Sequence, residues 1–189
     1  MTGEQALVLA VLAATGVQRL LETFARREKV RGEVKMAWSF YAFFFLHNLI
    51  LAGSFVEFLL LEKRIVWPAF VGGIALYSGA VGLRLAAIRE LGRFWSLQVE
   101  IRKEHQLITS GVFSRVRHPA YLSILGEVVS LPLLAGAWWT LLFAMVSYVP
   151  LLLLRLRREE RELVAKFGDA YLDYRKRTRA LIPIRRRTT

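Results

Sequence analysis

The stretch Met36-Ala-Trp-Ser-Phe-Tyr-Ala-Phe-Phe-Phe-Leu-His47-Asn48-Leu-Ile-Leu-Ala-Gly-Ser-Phe-Val-Glu57-Phe-Leu-Leu-Leu61 decides the fold. Its only formal charge is Glu57, and it exceeds the roughly 20 apolar residues a helix needs to cross the ~30 Å hydrocarbon core of a bilayer. Working outward, four further apolar stretches appear: Gln5 to Leu21, Trp67 to Ile88, Pro119 to Ala135 and Trp138 to Leu154. The last two are short and separated only by Gly136 and Ala137, which reads as a tight helical hairpin. The expected fold is all-α, a polytopic membrane helix bundle of about five transmembrane helices. The first stretch lacks a basic leading segment and a small-residue cleavage pattern and runs into Gln18, Arg19 and Glu22, so it is expected to be a retained helix.

Composition agrees. The 189 residues are 55% hydrophobic yet carry a net charge of +12, so apolar and charged residues lie in separate blocks, where a water-soluble domain mixes them. Of the 27 Lys and Arg, only Lys63 and Arg64 fall on one side of the proposed spans. By the positive-inside rule this predicts an outer N-terminus, with the basic loops and the C-terminus cytoplasmic. Attraction to anionic lipid accounts for so basic a face, so no nucleic-acid partner is expected. The absence of cysteine removes disulfides, thiolate metal sites and cysteine nucleophiles, and no metal site is expected.

Within the spans, His47, Asn48, Glu57, Arg84 and Glu127 are ionisable or polar and thus functional candidates by default. Glu57 lies near an outer end, Arg84 near an inner end where it can snorkel, and His47 with Asn48 can bond between helices. Glu127, about two turns into the fourth span, is harder to set aside: it is expected to be a structural partner between helices, paired with an arginine such as Arg84, or else a base. Gly72, Gly73, Gly79 and Gly82 read as close-packing positions.

Two long inner segments carry the remaining information. The first reaches Arg117-His118-Pro119, where the proline suits the first position of a helix because its missing N–H is no loss there. The second prolongs the fifth span beyond the membrane to a stop at Gly168. On that extension Leu156, Glu160, Leu163, Val164 and Phe167 share one face, while Arg155, Glu159, Glu162 and Lys166 form a neighbouring charged stripe. Glu160 is therefore the carboxylate expected in apolar company and in need of a partner, most simply an arginine, whereas Glu159 reads as a solvated ion-pair member.

The stretch Leu91-Gly-Arg-Phe-Trp95-Ser-Leu-Gln-Val-Glu-Ile101-Arg-Lys-Glu-His105-Gln106-Leu107-Ile-Thr-Ser-Gly111-Val112-Phe113-Ser-Arg-Val-Arg117-His118-Pro119-Ala-Tyr121 resembles the isoprenylcysteine carboxyl methyltransferase family. Arg158-Glu159-Glu160, then Phe167-Gly168, Tyr171, Tyr174, Thr178 and Leu181-Ile-Pro183, follow in the order and spacing of that family's second motif. Phe113 stands where the family usually has tyrosine, and Ser123 where glycine is common. The resemblance implies one integral membrane domain over 1–189: three N-terminal spans in 1–88 and a cofactor-binding half in 89–189, completed by an inner C-terminal helix. It further implies an S-adenosylmethionine-dependent methyltransferase acting on a lipid or prenylated small molecule among the membrane lipids. The cofactor would be held by His105, Gln106, Leu107, Gly111, Val112, Phe113, His118, Pro119, Tyr121, Leu122, Glu159 and Glu160. Arg117, His118 and Glu127 would be the catalytic candidates.

These residue types suit that chemistry. Glu160 can meet the cofactor's ammonium or ribose, and the start of the fourth helix, with Arg117 and His118 beside it, can meet its carboxylate. Leu107, Val112, Phe113, Tyr121 and Leu122 can form an apolar slot. A carboxylate acceptor needs no base, so the enzyme would act by positioning and desolvation. Glu127 followed by Leu131-Pro132 is also similar to the fourth helix of bacterial alkylpyrone O-methyltransferases. An enol, phenol or phospholipid amine acceptor therefore stays open, and for it Glu127 or His118 would serve as base. A reductase related to sterol reductases, using NADPH, and a non-enzymatic scaffold are the readings from other classes.

Overall fold

In the computed structural model, which describes residues 2–25, 33–62, 64–96, 99–101 and 106–183, the apolar stretches are helices. They are α1 (Gly3–Phe24), α2 (Ala37–Leu60), α3 (Trp67–Leu91), α4 (Pro119–Ala135) and α5 (Trp138–Phe167). A short α6 (Asp169–Arg177) follows. Four of these, α1, α2, α3 and α5, are long and apolar enough to cross a membrane, and α4 is an apolar helix of 17 residues. Large apolar side chains such as Leu21, Phe24, Phe45, Leu60, Trp139 and Val146 are 64–76% exposed, a surface that lipid tolerates and water does not. Together these features define an integral membrane helix bundle.

Among the described residues the helices are joined by one small sheet, a pair of three-residue strands, β1 (Glu33–Lys35) and β2 (Val99–Ile101), running antiparallel with Val34 opposite Glu100. They tie together the connections from α1 to α2 and from α3 to α4.

Helices α3 and α4 pack most intimately because small residues let them approach. A Cβ on Gly73 would meet Leu134 Cγ at 2.9 Å, and one on Gly126 would meet Ala80 Cβ at 3.0 Å. Gly72, Gly79 and Gly82 face open space, so only Gly73 of the third span's glycines packs as the sequence suggested. Two apolar cores result. One gathers Val8, Leu12, Phe58, Phe70, Leu131 and Leu134, and the other gathers Phe43, Ile50, Val128, Tyr148, Leu152 and Leu156.

Two of the polar residues inside the spans act differently from the expectation. Arg84 does not snorkel: it is 2% exposed and ion-paired with the fully buried Glu127 of α4 and, at 2.5 Å, with Glu22 of α1. Arg19 of α1 reaches the same Glu127 at 3.5 Å, and the Tyr77 hydroxyl of α3 donates to Gln18 at 2.6 Å. A polar seam thus fastens α1 to α3 and α4. Asn48 bonds within its own helix, to the Phe44 carbonyl at 2.8 Å, and not between helices.

Glu57, near the end of its helix as expected, has a structural task. From α2 its carboxylate accepts from the Thr140 backbone N–H at 2.8 Å, the Thr140 hydroxyl at 2.9 Å and the Trp139 N–H at 3.3 Å, capping the start of α5, which has no side-chain cap at Ala137. An acidic group suits the unpaired N–H groups and dipole of a helix N-terminus. Glu57→Ala is expected to lower the unfolding free energy of detergent-solubilised protein by about 1 kcal/mol, seen as a lower melting temperature, with Glu57→Asp losing less.

Candidate active site

A single stripe on α5 sets up the site. Thr140, Ala144, Tyr148, Leu152, Leu156 and Glu160 follow one another at i,i+4 and are all buried, so the face that packs in the membrane continues past the last apolar turn and ends on a carboxylate. Helix α4 starts opposite that end. Arg117 and His118 precede it, and Pro119 opens it.

Glu160 is the hub. Its Oε1 accepts from Arg117 Nε at 3.0 Å, from Arg117 Nη2 at 2.5 Å and from His118 Nε2 at 3.2 Å, and its Oε2 lies 3.8 Å from Arg175 of α6. Burial by itself raises the pKa of this carboxyl, but the hydrogen bonds and charges of His118 and Arg117 outweigh it and hold the group down at about 2. Glu159 is not simply a solvated ion-pair member. The Tyr121 hydroxyl of α4 donates to its Oε2, and His118 Nδ1 is 3.9 Å from its Oε1. His118 therefore stands between two carboxylates, with its ring stacked on Tyr121 at 5.5 Å between centroids.

The C-terminal segment closes the site from the other side. Gly168 ends α5 with φ +54° and ψ −130°, a conformation open to glycine, and so allows α6 to fold back. Tyr171 and Tyr174 of α6 are buried, and the Tyr174 hydroxyl donates to the Phe113 carbonyl at 2.6 Å. Burial raises the pKa of the Tyr171 hydroxyl above its ordinary value, so it stays neutral. The tail after α6 pairs with the segment before α4: the N–H groups of Arg117 and His118 donate to the carbonyls of Arg179 and Ala180 at 2.9 and 3.0 Å. Arg117 Nη1 also donates to the carbonyls of Thr178 and Arg175. These bonds revise one expectation: the N–H groups and guanidinium of Arg117 hold Glu160 and the tail and do not lie open to an incoming anion.

The structure brings together Arg117, His118, Pro119, Tyr121, Glu159 and Glu160. Leu122 follows one turn into α4, its N–H bonded to the His118 carbonyl at 3.1 Å. Glu127 is set apart in the ion pair with Arg84. Gly111, Val112 and Phe113 form a single 3-10 turn, Gly111–Ser114, beside the end of α3. Among the described residues no hydrogen bond or ion pair joins Gln106, Leu107, Gly111 or Val112 to either carboxylate, and His105 lies outside the described residues. Sequence reasoning missed Arg155 by placing it in a solvated stripe. It is 6% exposed, its guanidinium 5.3 Å from the Phe43 ring and 5.6 Å from the Tyr121 ring. The signal was present, since Arg155 follows Tyr148 and Leu152 at helical spacing on the packed face.

Gly111 is constrained twice. Its φ is +52°, and a Cβ there would run into the Glu90 carboxylate, which also accepts from Ser110 at 3.4 Å. Gly111→Ala is expected to destabilise the turn by about 1–2 kcal/mol, read as a lower melting temperature that Glu90→Ala partly restores.

A helical membrane protein with a charged cluster formed where its fourth and fifth helices meet a C-terminal helix is the class this geometry defines. Residues 74–165 match the isoprenylcysteine carboxyl methyltransferase (ICMT) family. This match takes in just under half of the chain, the part that runs from α3 through most of α5. An uncharacterised protein of Haemophilus influenzae is 35% identical over 47% of the chain and 52% of its own length. The protein-S-isoprenylcysteine O-methyltransferase of Schizosaccharomyces pombe is 35% identical over 54% of the chain and 44% of its own. The chain thus spans about half the length of these curated relatives. The fold is similar to the solved structure of the eukaryotic intramembrane Ras methyltransferase ICMT, with a TM-score of 0.65 at 24% identity over 73% of the chain and 52% of that one.

Proposed function

We propose that the chain is an S-adenosylmethionine-dependent membrane methyltransferase that carboxyl-methylates an isoprenylcysteine-like lipid acid. The observation that carries this reading is the pair of carboxylates, Glu159 and Glu160, held by Tyr121, His118 and Arg117 at the meeting of the two family motifs.

The donor set fits the cofactor. An ammonium and a ribose diol are donors, and the two carboxylates supply acceptors: among the described residues Glu160 Oε2 is paired with the half-exposed Arg175 at 3.8 Å, and the Glu159 side chain is 29% exposed. Arg175 offers a cation to the cofactor's carboxylate, and the stacked His118 and Tyr121 rings offer an apolar face. Bound there, the cofactor supplies an electrophilic methyl group on a sulfonium. Arg117 positions Glu160 and does not itself touch the cofactor. Tyr121 fixes Glu159, and His118 holds the two carboxylates apart with one ring nitrogen toward each. The 3-10 turn at Gly111–Ser114, fixed to α6 through Tyr174, would flank the adenine with Leu107, Val112 and Phe113.

For the acceptor, a carboxylate, which needs no base, is favoured because Arg84 engages Glu127, one of the two bases, with His118, that a phenol, enol or amine could use. The charge asymmetry of the loops supports a cytoplasmic site, with the N-terminus outside. Calorimetry of the purified protein with S-adenosylhomocysteine and with NADPH tests the reading: binding of the first alone is expected. Binding of NADPH alone, or of neither, overturns it. Methyl transfer to N-acetyl-S-farnesylcysteine tests the acceptor.

A further inference from the structure

A cavity of about 50 Å³ lies inside the bundle among α1, α2, α4 and α5, walled by Phe43, His47, Tyr121 and Tyr148 with Arg19 and Arg155 at its polar points. Among the described residues no carboxylate lines it. We propose that this cavity binds the anionic headgroup of the acceptor lipid acid, with Arg19 and His47, from the half of the chain outside the family match, as the residues that read it. The proposal rests on the methyl-transfer reading above and adds where the acceptor sits and what its charge must be.

Four observations carry it. His47 lines the cavity, is 6% exposed, and its buried Nδ1 has no hydrogen-bond partner in the protein. Arg19 shares Glu127 at 3.5 Å with Arg84, which sits much closer, and a guanidinium has five N–H donors, so Arg19 keeps donors for a second anion. Two guanidinium groups beside an apolar wall repel a cationic headgroup and stabilise a carboxylate, which suits a lipid acid and excludes a phospholipid amine. Finally, Tyr121 is shared: its ring lines the cavity while its hydroxyl donates to Glu159, so one side chain separates the headgroup from the carboxylate pair. The volume is several times what one water requires, enough for a carboxylate but not for a lipid chain, which must lie elsewhere among the helices.

The test is binding, read without turnover. Full-length protein in phosphatidylcholine nanodiscs is titrated with N-acetyl-S-farnesylcysteine and with its methyl ester, which lacks only the charge. The parent is expected to prefer the free acid by roughly tenfold or more, the worth of a charged hydrogen bond. Arg19→Gln should lose that preference by weakening the acid and leaving the ester unchanged. Ile124→Phe, which fills the cavity without touching an ion pair, should weaken both ligands while S-adenosylhomocysteine binds as before. Retention of the acid preference in Arg19→Gln overturns the proposal, as does unchanged acid binding in Ile124→Phe, which decides the matter if Arg19→Gln fails to fold. Equal displacement of the acid by phosphatidylglycerol also overturns it, making the cavity a site for bilayer lipid. S-adenosylhomocysteine titrations on the same samples separate the two readings, since their failure removes the methyltransferase assignment and leaves the acid-to-ester comparison intact.

Discussion

Replacing Arg84 by leucine is expected to cost about 3–5 kcal/mol of stability, several times the loss expected from removing the Glu57 cap. The change strands Glu127, which is fully buried, and Glu22, whose side chain is 18% exposed, in a bundle where neither finds water. Arg19, 3.5 Å from Glu127, compensates only in part. The double variant Arg84→Leu, Glu127→Leu should recover much of the loss, because removing both charges takes away the desolvation penalty along with the attraction. Unfolding of detergent-solubilised protein measures both, and a single variant as stable as the double would show that the pair is solvated. The same ion pair bears on the sequence expectation for Glu127. If Glu127→Gln lowers turnover of a phenolic acceptor but not of a prenylcysteine, and the acidic limb of the pH profile vanishes, Glu127 acts as a base. The ion pair predicts instead a fall in stability with no acceptor preference.

Glu160→Gln is expected to weaken S-adenosylhomocysteine binding by roughly 30-fold or more, since truncating one member of a buried, hydrogen-bonded charge pair costs about 2–5 kcal/mol. The substitution leaves Arg117, 7% exposed, without its counter-charge and frees His118 to turn. Glu159→Gln should cost less, because only the Tyr121 hydroxyl and a distant His118 nitrogen depend on it. Dissociation constants decide the order, and equal losses would mean that Glu159 contributes as much to cofactor binding as Glu160. The pH dependence follows from the sign of the shift. The pKa of Glu160 falls from 4.5 to about 2 on folding, so its contribution to stability is complete above pH 4.5 and is lost as the pH falls toward 2. Acid unfolding of Glu160→Gln should therefore lack that component between pH 4.5 and 2.

The sequence by itself determined the helices, because a lipid environment leaves a chain few choices: long apolar runs must satisfy their backbone internally, and their lengths and charge-free interiors are visible residue by residue. It also determined that Glu160 lies on the packed face of its helix, since a 3.6-residue period fixes direction. What only the tertiary structure decided is which charges meet. Arg84 was legible as a residue near a helix end and as one possible partner of Glu127, but whether it snorkels or turns inward depends on α1 bringing Glu22 and on α4 bringing Glu127, and no local pattern chooses between them. The same holds for Arg117, whose bonds to Glu160 and to the tail carbonyls exist only because Gly168 turns α6 back onto the start of α4. Ion pairs between distant segments are set by packing geometry over tens of residues, and periodicity carries no information about it.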